Sequence, residues 1–148
     1  MFDHILVALD GSDPSRNAAK IACRLNKIDN GRLTFMHIPH AESAAFVVGA
    51  VAGYHAAILK PTIPEIEKAG QKILDEATKE AEEAGCKNVQ SQMTHGDAAT
   101  EILKYAAEAD VDLIVTGRRG LSGLASLVLG STSLRINHHA KCACLSVV

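Results

Sequence analysis

The sequence predicts a doubly wound α/β sandwich, a parallel sheet with helices on both faces. Short apolar runs such as "HILVALD", "GRLTFMHI" and "VDLIVTG" alternate along the 148 residues with stretches of helical spacing. Helix-start residues stand ahead of those stretches: Asp13 with Pro14, Thr62 with Glu65, and Asp97. Strands joined by helices must run parallel, and right-handed crossovers then cover both faces of the sheet.

The elements follow in order. Residues 4–10 are a buried strand, and "DPSRNAAKIACRLNKI" is a helix with Asp13 as N-cap and Pro14 at its first position. Residues 31–38 form the second strand. "TIPE" at 62–65 has capping-box form, and Ile66, Ala69, Ile73, Ala77 and Ala81 follow at helical spacing up to Gly85. "NVQSQMTH" (88–95) alternates as a half-buried strand, Asp97 caps "AATEILKYAAEA", and 111–117 is a continuous apolar strand. A last helix over 131–140 leads into the terminal strand "ACLSVV". In such folds ligands bind beyond the carboxyl ends of the strands where the strand order reverses, here beside the first strand with the fourth as neighbour.

Length and composition set bounds on function. A chain this long forms one domain, 1–148, and buries about 70% of the surface its unfolded form exposes. A net charge of -2 lays down no basic footprint for nucleic acid, and three Phe, two Tyr and no Trp leave few platforms for stacking bases. "MFDHILVALDGSD" has an apolar run too short for a signal peptide, so a cytoplasmic location is expected. Cys23, Cys86, Cys142 and Cys144 contain no CxxC and read as reduced thiols, and no metal site is expected from them or from His138 and His139.

The stretch "ESAAFVVGAVAGYHAAILKP" (42–61) is apolar, with Gly49 and Gly53 in GxxxG spacing, but its apolar run, the sixteen residues from Ala44 to Leu59, is interrupted by His55 and too short for a membrane span. It reads as a short helix over the sheet edge, with a lid or partner surface as the alternative.

Chemistry concentrates in "GRRGLSGLASLVLGSTS" (117–133), which holds four glycines and five hydroxyl residues. Gly117 and Gly120 follow the fourth strand, while Gly130 and Ser131 open the last helix. Glycine permits close backbone approach and positive φ, and a helix N-terminus offers free N–H donors with a partial positive charge. The pattern is an anion cradle, with hydroxyls from Ser131, Thr132 and Ser133. Arg118 and Arg119 are candidate rim charges, solvated loop side chains being the alternative. Neither GxxxxGK[ST] nor GxGxxG occurs. What does occur is G-x2-G-x9-G-S, with Asp10 ending the first strand, where a helix-capping turn residue is the other reading. His37 and His95 read as packing residues, and no catalytic triad can be assembled.

With "ILVALDGS", "HGDAATEILKYAAEADVDLIVTGRRGLSG" and "LGSTS" in place, the chain resembles the universal stress protein family over essentially its whole length. The resemblance implies a Rossmann-like sheet of the adenine nucleotide α hydrolase-like class, five parallel strands in the order 3-2-1-4-5. Family members with G-x2-G-x9-G-[ST] typically bind ATP, so the implied ligand is ATP, with AMP or ADP as alternatives, accompanied by magnesium. Carried over by position, Asp10 lies near the ribose and adenine, Ala8 lines the base pocket, and the Ile38 backbone addresses adenine. Gly117, Gly120 and Gly130 form the phosphate loop, Ser131 and Thr132 donate to phosphate, and Gly123 falls in the same loop. A homodimer through the terminal strand is also implied, although "KCACLSVV" lacks the family's usual proline after the cysteine, and Ala143 and Ser146 make its edge less apolar.

Three functions compete at this level. One is an ATP-binding regulatory protein acting through a dimer or an unknown protein partner. Another is a slow ATPase or phosphotransferase in which Asp10 positions a magnesium-bound water. The last is a nucleotide-free interaction module that keeps only the fold.

Overall fold

The computed structural model describes residues 1–40, 44, 61–120 and 129–148. The stretch expected to pack over the sheet edge lies outside them apart from Ala44 and Pro61. The strands are β1 (His4–Leu9), β2 (Arg32–His37), β3 (Val89–Met93), β4 (Leu113–Gly117) and β5 (Ala143–Val147). The helices are α1 (Asp13–Asp29), α2 (Ile63–Glu83), α3 (Ala98–Glu108) and α4 (Ser131–His139). All strand pairs are parallel, in the order β3-β2-β1-β4-β5, as the sequence and the family resemblance led us to expect.

Two apolar layers clamp this sheet. Ile5, Val7, Leu33 and Phe35 face α1 and α2, packing on Ala18, Ala22, Ile73 and Leu74. Leu6, Met36 and Ile114 face α3 and α4, packing on Ala99, Ile102, Ala106 and Ile136. Alternate residues of each central strand therefore serve opposite layers, which is why those strands read as unbroken apolar runs. The edges differ. On β3 only Val89 and Met93 are half-buried, whereas Gln90, Ser91 and Gln92 are exposed. The alternation expected there is correspondingly incomplete.

Local signals explain most element boundaries. The sequence reading puts Asp13 at the N-cap of α1, but the cap is Ser12, whose hydroxyl oxygen accepts from the Ser15 N–H. Asp13 and Pro14 then occupy the first helical positions, where an acid meets the positive end of the dipole and a missing N–H breaks no helical bond. At α2 the Glu65 carboxylate accepts from the Thr62 N–H at 2.7 Å, the half of the capping box that holds the chain entering the helix. Gly85, with φ of +86°, stands just past its end, as expected from sequence.

All four cysteines are free thiols. Burial, with Cys86 alongside, pushes the Cys23 thiol up to about 12, which keeps it protonated and unreactive. Among the described residues no helix is long and apolar enough to cross a membrane.

Candidate functional site

The strand order decides where a site can form. From β1 the chain winds outward through β2 to β3, then returns to place β4 on the other side of β1. Connections leaving β1 and β4 diverge, and a crevice opens at their carboxyl ends. A cavity of about 250 Å³ occupies that position.

Its floor is set by register. Ala8 pairs with Met36 on one side and with Thr116 on the other, so three neighbouring strands present these residues at one level. Ala8 is the smallest of the three, and the depression lies over it. Ile38 continues beyond β2, and Ala98 and Ile102, one turn apart on α3, make an apolar wall. The opposite wall is polar, formed by Asp10, Gly117, Arg119, Gly120 and the start of α4 from Gly130 to Ser133.

The glycines act through close approach. None of Gly117, Gly120 and Gly130 has a positive φ, contrary to one half of the sequence expectation. A Cβ on Gly117 would stand 2.9 Å from the Ser15 nitrogen and 3.0 Å from the Pro14 carbonyl carbon, so this glycine lets β4 pass against the start of α1. A Cβ on Gly120 would stand 2.7 Å from Asp10 Oδ2. The loop backbone therefore lies directly against the Asp10 carboxylate. At Gly130 the nearest atom would be the Arg118 carbonyl oxygen at 3.4 Å, an ordinary contact.

Asp10 is held as a turn residue and still lines the cavity. Its Oδ1 accepts from the Ser12 N–H at 2.9 Å and from the Ser12 hydroxyl at 2.5 Å, which orients the carboxylate with Oδ2 toward Gly120. The two sequence readings of this residue are thus compatible. Asp10 also supplies the one carboxylate among the described lining residues.

The start of α4 differs from those of α1 and α3. Ser12 and Asp97 cap α1 and α3 with side-chain oxygens, whereas Gly130 caps α4 with none. First-turn N–H groups lack helical acceptors, and a glycine cap leaves them without a side-chain one. They open onto the cavity. The Gly130 N–H itself donates to the Arg118 carbonyl at 2.8 Å, closing the loop at its neck. Ser133 departs from expectation, because its hydroxyl donates to the Gly117 carbonyl at 2.7 Å and ties α4 to β4. Among the described hydroxyls that line the cavity, those with no such internal commitment are Ser131 and Thr132.

Of the twelve residues singled out from sequence, ten line this cavity. Arg118 stands outside its lining, and Gly123 lies outside the described residues. Sequence reasoning missed Leu9, Ser15, Met36, His40, Ala98, Ile102 and Thr116. Met36 and Thr116 carry no chemical signature of their own, and only the register with Ala8 marks them.

Beneath the cavity His37 is fully buried, and its Nδ1 lies 2.7 Å from the Leu9 carbonyl. That carbonyl can only accept, so Nδ1 carries the proton, and Nε2 has no hydrogen-bond partner. Burial holds its pKa below the usual value. As the sequence suggested, it is a packing residue: a Cβ on Gly70 of α2 would stand 2.7 Å from its ring.

The universal stress protein family profile matches residues 1–147. The chain belongs to that family. Universal stress protein YxiE of Bacillus subtilis is 35% identical, with 99% of each chain covered. Among solved folds, a universal stress protein in complex with cAMP superposes with a TM-score of 0.70 at 24% identity, covering 99% of this chain and 96% of that one. A universal stress protein from Archaeoglobus fulgidus in complex with dAMP gives 0.70 at 18% identity, covering 97% and 96%. At these identities the two structures speak to the fold, which is that of the universal stress proteins.

Proposed function

We propose that this chain is an ATP-binding universal stress protein, a regulatory protein whose nucleotide state acts on a dimer or partner surface. The observation that carries the reading is the convergence of Asp10, the Gly117–Gly120 turn and the uncapped start of α4 on one cavity at the β1/β4 crevice. Adenine nucleotides occupy structures of the same fold, cAMP in one and dAMP in another.

The residues present fit a nucleotide. The apolar wall of Ile38, Ala98 and Ile102 suits a base, with Ala8 leaving depth for it, and the Ile38 backbone addresses the adenine edge. Asp10, with Oδ2 beside Gly120, accepts from ribose hydroxyls. First-turn N–H groups of α4, with the Ser131 and Thr132 hydroxyls, donate to phosphate oxygens, favoured by the helix dipole. Arg119 adds positive charge, and Arg118 and Ser133 act indirectly, through the Gly130 N–H bond to the Arg118 carbonyl and the Ser133 hydroxyl bond to the Gly117 carbonyl. Magnesium usually arrives with phosphate and needs one or two protein carboxylates, a role open to Asp10 alone among the described lining residues.

Dimerisation through β5 belongs to the same proposal. Among the described strands β5 pairs only with β4, and the N–H groups of Cys144 and Ser146 point outward, because Ala143 donates inward to Asp112. Such an edge is commonly covered by a second chain, and two-fold pairing would be antiparallel.

Incubation of purified protein with labelled ATP tests the reading. Tight retention without turnover is the expected result. Turnover would make the chain a slow ATPase, and neither retention nor turnover would reduce it to an interaction module.

A further inference from the structure

Away from the cavity floor, one polar cluster joins the two helices that form facing parts of its rim. Asp97 caps α3, with Oδ1 accepting from the Thr100 N–H at 3.0 Å and from the Thr100 hydroxyl at 2.6 Å. Arg135, one turn into α4, places Nη1 2.8 Å from Asp97 Oδ1 and 2.9 Å from Oδ2, and its Nη2 donates to the Thr100 hydroxyl at 3.2 Å. The guanidinium thus meets the carboxylate and the hydroxyl of a single α3 turn. These bonds, with the Arg135 charge, hold the Asp97 carboxyl well below the usual carboxylate range.

The placement matters more than the energy. Both side chains are about half exposed, and pairs of that kind add little to global stability. Yet Ala98, next to Asp97, and Ile102, one turn on, form the apolar wall, while Ser131 and Thr132 stand one turn before Arg135 on α4. Planar guanidinium contacts fix orientation as well as distance. The cluster therefore gauges the separation between the base wall and the phosphate cradle.

We propose that Arg135 is a positioning residue for the site: through Asp97 and Thr100 it sets the start of α4 against the start of α3, so that one ligand can reach both. The inference rests on the nucleotide reading above and deepens it. It requires Arg135 for ligands that join the base wall to the start of α4, such as ATP, and not for adenosine, which reaches the base wall and Asp10 but has no phosphate for α4. A residue serving only general stability would weaken both ligands alike.

The test is titration calorimetry of the full chain with ATP and, separately, with adenosine. It uses the wild type, Arg135→Gln, Asp97→Ser and the double variant, with circular dichroism to verify folding. Serine keeps a side-chain cap on α3 while removing the carboxylate, so Asp97→Ser stands as an independent probe should Arg135→Gln not fold. We expect each single variant to lose about tenfold in ATP affinity, the double variant to lose no more than either, and adenosine affinity to stay within about twofold, as for residues acting as one unit. Equal losses for both ligands, additive losses, or an unchanged ATP affinity would overturn the positioning role. A wild type that binds neither ligand would overturn the nucleotide reading and this role with it, whereas wild-type binding with indifferent variants would overturn only the role.

Discussion

Replacing Gly117, Gly120 and Gly130 by alanine one at a time separates folding from binding, because the three added methyl groups meet different atoms. On Gly117 the methyl meets the backbone of Pro14 and Ser15 at 2.9 to 3.0 Å, which cannot swing aside without moving the start of α1. Overpacking of that kind costs about 1–3 kcal/mol. For a chain of this length the melting temperature should fall by roughly 2–12 °C. On Gly120 the methyl meets a carboxylate oxygen at 2.7 Å, and Asp10 can rotate away only by giving up its two bonds from Ser12. The fold should survive, while the contact between Asp10 and the ligand is lost. A hydrogen bond to a charged group is worth about 1.5–3 kcal/mol, so ATP affinity should fall roughly 10- to 150-fold. On Gly130 the methyl has room beside the Arg118 carbonyl, and the stability loss should stay within about 1 kcal/mol of poorer capping. Thermal unfolding followed by circular dichroism, with calorimetric ATP titration of each variant, reads both axes. Wild-type melting of Gly117→Ala, or wild-type ATP affinity of Gly120→Ala, would refute the reasoning.

Three further outcomes are expected. Asp10→Ala should weaken ATP binding by about 1–3 kcal/mol in calorimetry; a stability loss with normal affinity would leave Asp10 only its turn. His37 and His4 are both held by burial below the 6.5 usual for histidine, so as pH falls below that value the unfolded chain takes up protons first. Stability should therefore be full above about pH 6.5 and decline below it, by up to about 1.4 kcal/mol per pH unit for each histidine; urea unfolding of wild type and His37→Asn between pH 5.5 and 6.5 should show a shallower slope in the variant. Ser146→Pro removes an outward N–H from β5, and sedimentation over a range of concentrations should find a dimer in the wild type and a monomer in the variant. The Val147 side chain is unsuited to this test because it is buried in the core beside α1.

The legible parts of the fold were those where local signals and burial agree. Apolar runs on β1, β2 and β4 reflect strands buried on both faces, and the Thr62 and Asp97 starts reflect caps that form as the spacing implies. β3 was less legible because an edge strand buries few side chains, and the α1 cap was misplaced by one residue because Ser12 and Asp13 are both good caps. At the site, glycines, hydroxyls and Asp10 announce themselves by residue type. Met36, Thr116, Ala98 and Ile102 reach the cavity only through register and helix phase, which are tertiary facts. The cross-link from Arg135 to Asp97, 38 residues apart, was invisible for the same reason.

The most direct measurement is equilibrium binding of ATP to the wild-type chain beside Gly130→Val. A Cβ added at residue 130 keeps an ordinary contact distance of 3.4 Å to its nearest protein atom, and it stands at the start of α4 that lines the cavity. The account expects saturable binding of about one ATP per chain in the wild type and none in a folded Gly130→Val protein. No binding by the wild type, or the same affinity in both, would contradict it.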